Sequence, residues 1–137
     1  REPSFPRELI NTFDFVYSFD VFVHLDLHTI WQYFQSVRKI LKNNGKFFIH
    51  TTNLLAPQGW ARFASQRAYR VEGHYFISPE IVKHLAQKAN LQMIQHSQIN
   101  EKNFYYSRDF LAVFSAKGGS LPDRQAGASG GQKNPES

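Results

Sequence analysis

Cysteine is absent from the 137 residues, which excludes disulfide staples and thiolate metal sites and fits a cytoplasmic setting. No apolar run approaches the roughly 20 residues that a membrane span needs, and no charged-then-apolar leader opens the chain. The opening at Arg1 rather than Met fits a processed or truncated start. Dense tracts of one charge are missing too. Sixteen Lys and Arg against eleven Asp and Glu give a net +5, but the basic residues are scattered and no zinc-finger or RNP-type pattern accompanies them. That balance describes a mildly basic domain and argues against a nucleic-acid partner. No internal repeat is visible.

What is present is a core. Hydrophobic residues make up 42% of the chain, with thirteen Phe, enough for one domain that folds on a buried centre. The segment Phe13–Asn53 organises the rest. Phe13-Asp14-Phe15-Val16-Tyr17-Ser18 is almost continuously apolar, which predicts a strand buried on both faces. Leu27, Ile30, Phe34, Val37 and Leu41 recur at helical spacing and predict an amphipathic helix from about Leu27 to Asn43. Asp26 is its N-cap. Lys39 and Lys42 suit the negative end of its dipole, and Gly45 suits a left-handed stop. Phe47-Phe48-Ile49 then opens a second strand. Two such strands joined by a helix predict a parallel, right-handed βαβ unit. Ligands of open α/β sheets bind beyond the carboxyl ends of the strands, here Ser18-Phe19-Asp20 and Thr51-Thr52-Asn53.

Residues 1–12, with Pro3 and Pro6, read as a lead-in loop ending in a short turn at Arg7–Ile10. Residues 54–77 exceed the ~12–15 residues usual for a structureless loop; they read as a lid with a turn or two of helix at Trp60–Ala64. Ser78-Pro79-Glu80 is a helix start, with Ile81, Val82, Leu85, Ala86 and Ala89 as the buried stripe and Asn90 as the left-handed stop. Leu91–Ile99 predicts a half-exposed strand and Asp109–Lys117 a central one. Their short link forbids a helical crossover, so they run antiparallel. Gly118–Ser137, rich in Gly, Ser, Gln and Pro, reads as a disordered tail.

The order strand, helix, strand, lid, helix and antiparallel pair resembles the C-terminal half of class I S-adenosylmethionine-dependent methyltransferases. FDFVYSFDVFVHLD is similar to the family's fourth-strand block, and YFQSVRKILKNNGKFFI to its helix-to-fifth-strand block, often written L-K-x-x-G-K. The resemblance covers about residues 13–117. It implies an α/β, Rossmann-like methyltransferase fold whose terminal strand is antiparallel and inserted beside the fifth. It also implies a partial domain. No glycine precedes Gly45, so the glycine-rich turn that grips most of the cofactor is missing, and the Gly118–Gly131 cluster follows the last strand instead of opening a helix. The strand at 13–18 would then be an unpaired hydrophobic edge, prone to self-association.

The same resemblance assigns the cofactor, S-adenosylmethionine, and a small-molecule methyl acceptor. Ser18, Phe19, Asp20 and His24 would face the cofactor's methionine part: a carboxylate pairs an ammonium, and an aromatic face sits by a cation. His74 is the candidate general base, and Asn53, Tyr75 and Phe76 are candidate acceptor contacts. Arg62, Arg67 and Arg70 in the lid suit solvated surface better than an anionic acceptor. His24, Asp26 and His28 spell H-x-D-x-H, but without a third ligand in register they predict no metal site. Two other readings compete: a non-catalytic remnant or binding module that pairs with another chain, and a dinucleotide-dependent oxidoreductase, which the antiparallel terminal pair does not suit.

Overall fold

A computed structural model of the chain describes residues 4–116. The expected tail at 118–137, and Lys117, lie outside the described residues. A 3₁₀ turn at Arg7–Leu9 leads into β1 (Phe13–Tyr17), α1 (Leu27–Ile40) and β2 (Leu41–Thr52). β1 and β2 pair in parallel, with Val16 opposite Phe47 and Tyr17 opposite Phe48, as the apolar runs and the intervening helix require. The Asp26 carboxylate caps α1 by accepting from the Thr29 N–H at 2.8 Å. That bond is the main reason its carboxyl lies below the usual value.

α1 ends three residues earlier than its pattern suggests. Asn11 and Thr12 donate their N–H groups to the Lys39 and Ile40 carbonyls, which satisfies the end of the helix and frees Leu41 to pair with Phe13 in β2. Lys42 is therefore not a helix-end cation; it lies 3.6 Å from Asp14. The left-handed residue is Asn44, at φ 66°, not Gly45. Gly45 is needed for closeness, since a Cβ there would sit 3.1 Å from the Phe13 carbonyl oxygen and 2.9 Å from that of Lys42.

The chain continues through α2 (Pro57–Gln66), α3 (Pro79–Lys88), β3 (Leu91–His96) and β4 (Asp109–Ala116). β4 runs antiparallel to both β2 and β3 and lies between them, giving the sheet order β1-β2-β4-β3. The terminal hairpin and its insertion are thus as expected. α2 is longer than the turn or two foreseen at 60–64. Ser78 stands at the N-cap of α3, but its hydroxyl makes no capping bond. Ile81 is exposed rather than part of the buried stripe. Asn90 does take the left-handed stop, at φ 61°, and its carbonyl accepts from buried Arg38 of α1 at 3.2 Å.

The core joins Ile30, Phe34 and Val37 of α1 to Phe47 and Ile49 of β2, Phe110 and Phe114 of β4, and Val82 and Ala86 of α3. Phe34, Phe47 and Phe114 form its centre, with ring centroids 5.7–6.5 Å apart. β1 corrects the expectation of a strand buried on both faces. Phe15 and Tyr17 are 54% and 70% exposed, because side chains alternate along a strand and these two lie on the face opposite Val16, the residue of β1 that packs on the core. Among the described residues no helix is long and apolar enough to cross a membrane.

Candidate functional site

The Ser18 N–H donates to the Phe48 carbonyl at 2.9 Å, the last rung of the β1–β2 ladder. The chain then turns away through Phe19 and Asp20, and Asp20 takes a left-handed φ of 62°, a region that few residue types other than glycine, asparagine and aspartate enter readily. His50 of β2 holds this turn. Its ring is 1% exposed, stacks on Phe19 with centroids 4.4 Å apart and planes 22° from parallel, and accepts the Asp20 N–H at Nδ1 over 3.1 Å. Since Nδ1 accepts, the ring proton sits on Nε2, 2.7 Å from Asp109 Oδ2. The Asp20 carboxylate lies 3.4 Å from the same Nδ1 with its side chain 64% exposed. It receives no hydrogen from that nitrogen and faces solvent.

Asp109, the first residue of β4, pairs across from Thr52 and is fully buried. Besides His50 it accepts from Arg108 Nε at 3.0 Å and Nη2 at 2.7 Å, and Arg62 Nη1 of α2 lies 3.4 Å from its other oxygen. Burial pushes its carboxyl up, but the hydrogen bonds from His50 and Arg108 and the charges of Arg108 and Arg62 together hold it below the usual value. Arg108 is further steadied over the Phe104 ring, 4.3 Å from its centroid, while Tyr105 packs edge-on against Phe19 and His50.

The segment 54–77 returns to the same end of the sheet, where the Leu54 N–H donates to the Ile77 carbonyl at 2.9 Å. A second 3₁₀ turn, Phe22–His24, buries Phe22 and Val23, and the Val23 carbonyl accepts from the Tyr75 N–H at 2.8 Å. Thr52 Oγ1 donates to the Tyr75 carbonyl at 2.7 Å and accepts from the Ile77 N–H at 3.1 Å. His24 donates from Nδ1 to the Gly73 carbonyl at 3.1 Å, which sets its ring 4.9 Å from that of His74. Gln66 of α2 clasps the His74 backbone on both sides, accepting its N–H at 2.9 Å and donating to its carbonyl at 3.2 Å. His74, Tyr75 and Phe76 then line a pocket of about 310 Å³ with Phe63, Gln66 and Tyr69. Burial, then the charges of Arg62 and His24, lower the His74 pKa below the usual imidazole value. Arg62 stands between the two halves, its charge acting on His74 and responding to that of Asp20.

A family of methyltransferase domains matches residues 2–96, well over half of the chain. The chain belongs to that methyltransferase family. Solved structures share the fold. A Pyrococcus horikoshii protein is 23% identical with a TM-score of 0.58, the match covering 79% of this chain and 53% of that one. A Thermotoga maritima SAM-dependent methyltransferase, described as a possible histamine N-methyltransferase, is 13% identical with a TM-score of 0.61, covering 79% and 57%. The Burkholderia thailandensis 1,6-didemethyltoxoflavin-N1-methyltransferase, solved with 1,6-didemethyltoxoflavin and S-adenosylhomocysteine, is 9% identical with a TM-score of 0.57, covering 80% and 46%. The chain thus spans about half the length of these structures. No curated protein sequence matches it.

Within this methyltransferase domain the candidate residues fall into two groups. Ser18, Phe19 and Asp20 gather at the β1 tip, while His24 packs against His74 of the segment 54–77, whose Tyr75 and Phe76 line the pocket with it. Asn53 joins neither. It is buried, its Oδ1 accepts from the Leu55 N–H at 3.0 Å, and its carbonyl lies under Gly59 of α2. Asp26 of the H-x-D-x-H run caps α1, and among the described residues no three His, Asp or Glu side chains gather as metal ligands. Arg62 is not simply solvated surface, since it reaches Asp109. His50, Tyr105, Arg108 and Asp109 carried no sequence assignment. The available signal was a titratable residue against each of two apolar runs, following FFI in FFIHTT and opening DFLAVF, where burial demands a polar partner.

Proposed function

We propose that this chain forms the methionine-facing part of a class I methyltransferase that takes S-adenosylmethionine and methylates a small-molecule acceptor. One observation carries the reading: at the carboxyl end of β1 a buried network fixes the Asp20 backbone yet leaves its carboxylate exposed and without a donor partner among the described residues. A carboxylate so placed suits the cofactor's ammonium, with Phe19 beside the sulfonium and Ser18 and His24 completing that wall. The cofactor supplies an electrophilic methyl group. The residues of the chain orient, bury and deprotonate the acceptor. His74, kept unprotonated to lower pH than an ordinary histidine, is suited to take a proton from an acceptor hydroxyl or amine. Tyr75 and Phe76 border the acceptor pocket, and Asn53 shapes the loop beneath it.

In this reading residues 13–117 are part of a larger domain, residues 54–77 are its lid, and the glycine-rich cofactor turn comes from elsewhere. The exposed β1 edge is where a further strand, or a second copy of the chain, adds on. Calorimetric titration with S-adenosylmethionine, of this chain and of a form extended upstream of Arg1, tests the assignment. The extended form is expected to bind more tightly, and Asp20→Ala to weaken binding by ~1–3 kcal/mol, the penalty for a lost charged hydrogen bond. No binding by either form removes the assignment, and unchanged affinity in Asp20→Ala removes that residue from the site.

A further inference from the structure

His50 is buried where no substrate reaches it, and the methyl-transfer reading gives it no role. Its surroundings are nevertheless specific. One ring face lies on Phe19 at 4.4 Å, one ring edge faces Tyr105, Nε2 is anchored on Asp109 at 2.7 Å, and Nδ1 receives the Asp20 N–H at 3.1 Å. Every part of the imidazole is thereby fixed relative to β4, and the only backbone group it grips belongs to the residue with the left-handed φ of 62°. Aspartate enters that conformation more readily than most residues but not as its default, so a bond to its N–H helps to hold it there. A buried histidine serving only to fill space would not need an acceptor aimed at the backbone of this turn.

We propose that His50 is a positioning residue, whose Nδ1 holds the Phe19-Asp20 turn in the conformation that presents the Asp20 carboxylate to the ammonium of the cofactor. Asp109 acts one step further back. By accepting from Nε2 it keeps the ring proton away from Nδ1, so that Nδ1 stays an acceptor for Asp20. Because Nδ1 donates nothing, the Asp20 carboxylate is not drawn inward onto the His50 ring and stays 64% exposed. The inference rests on the cofactor reading for its purpose, but its geometry can be checked without any ligand.

Two substitutions separate the acceptor from the ring. His50→Phe keeps a flat ring against Phe19 and loses Nδ1; His50→Asn loses the ring and keeps an oxygen near the Nδ1 position. Both lose the bond to Asp109, which retains Arg108 and Arg62. In whichever form of the protein binds, affinity for S-adenosylhomocysteine is expected to fall about tenfold or more in His50→Phe, the factor associated with one lost buried hydrogen bond. In His50→Asn it is expected to stay within about threefold, whichever variant melts lower. Affinity that follows melting temperature across the two variants, or a His50→Phe that binds as wild type does, overturns the proposal. A ligand-free measurement stands beside these: in ¹⁵N-labelled wild-type protein, a scalar coupling across the hydrogen bond should link the Asp20 amide nitrogen to His50 Nδ1, and the Asp20 amide should exchange slowly. Absence of that coupling overturns the positioning role. If the coupling is present but neither form binds S-adenosylhomocysteine, the cofactor reading is what fails, and with it the purpose assigned to His50.

Discussion

Replacing Asp109 by Asn tests whether one buried carboxylate ties three segments of the chain together. The wild-type side chain accepts from His50 at 2.7 Å and twice from Arg108 at 2.7 and 3.0 Å, with Arg62 at 3.4 Å. An amide of the same shape carries no charge and must turn an NH₂ group towards one set of donors. Hydrogen bonds to a buried charge contribute about 1.5–3 kcal/mol each, but Arg108 and Arg62 keep 19% and 18% of their side chains exposed, and water offsets part of what they lose. The His50 bond is buried at both ends and has no such relief. The expected cost of Asp109→Asn is therefore about 3 kcal/mol, the lower end for breaking a buried ion pair. Arg62→Ala, which removes a longer and partly solvated contact, should cost under about 1 kcal/mol. At about 4 °C per kcal/mol for a domain near this size, the two differ as ~12 °C against at most ~4 °C in melting temperature. The effect also has a pH signature. A carboxyl held below its unfolded value contributes stability that is complete above the unfolded range near ~4 and is lost as pH falls through the folded value. The gap between wild type and Asp109→Asn should be flat from about pH 6 to 8 and narrow below about pH 4. Urea and thermal unfolding followed by circular dichroism measure both. A cost below ~1 kcal/mol at neutral pH, or a gap that does not narrow at the lowest pH where the chain folds, refutes the argument.

Gly59→Ala should displace α2, because a Cβ there would lie 1.8 Å from the Asn53 carbonyl oxygen and 2.8 Å from that of Arg108, both backbone atoms; a loss of ~1–3 kcal/mol with faster proteolysis within 54–77 is expected, and an unchanged cleavage rate counts against that packing. His74 should titrate below the usual imidazole value of about 6.5, since burial and the Arg62 charge disfavour its protonated form; NMR titration reads this directly, and Arg62→Ala should move the midpoint upward. Phe15 and Tyr17 lie on the exposed edge strand, so replacing both with Lys should leave stability within ~0.5 kcal/mol while suppressing concentration-dependent association in light scattering. A wild-type chain that stays monomeric at high concentration sinks the edge argument.

Much of the fold was legible because its signals are local. The Asp26 cap, the α1 stripe, the Ser78-Pro79 start and the Asn90 stop each depend on residues within a turn or two of one another. The antiparallel terminal pair followed from a link too short to cross over. The errors share a different cause. The pattern of α1 runs on into Leu41, and only the distant pairing of Leu41 with Phe13 and the donation from Asn11 and Thr12 end the helix at Ile40. The apolar run of β1 fits a strand covered on both faces, but burial depends on neighbours, and the face that carries Phe15 and Tyr17 is left exposed.

The site shows the same division more sharply. Ser18, Phe19 and Asp20 are candidates because they follow a strand, which is a positional argument. His50 and Asp109 carry no such positional mark, because what defines them is a pairing across 59 residues that no period or spacing expresses. Their sequence neighbours make them look like interruptions in β-strands: His50 follows Phe47-Phe48-Ile49, and Asp109 precedes Phe110-Leu111-Ala112. Inserting β4 beside β2 turns these two interruptions into one bonded pair, and the turn at Asp20 and the arginine of α2 attach to it from opposite sides. A lone histidine or aspartate in either strand would be a costly buried polar group. Together they satisfy each other, and His50 keeps Nδ1 for the Asp20 N–H while Asp109 keeps acceptor positions for Arg108 and Arg62. A polar residue that breaks an otherwise apolar strand is therefore best read with its counterpart in the neighbouring strand, since neither makes physical sense without the other.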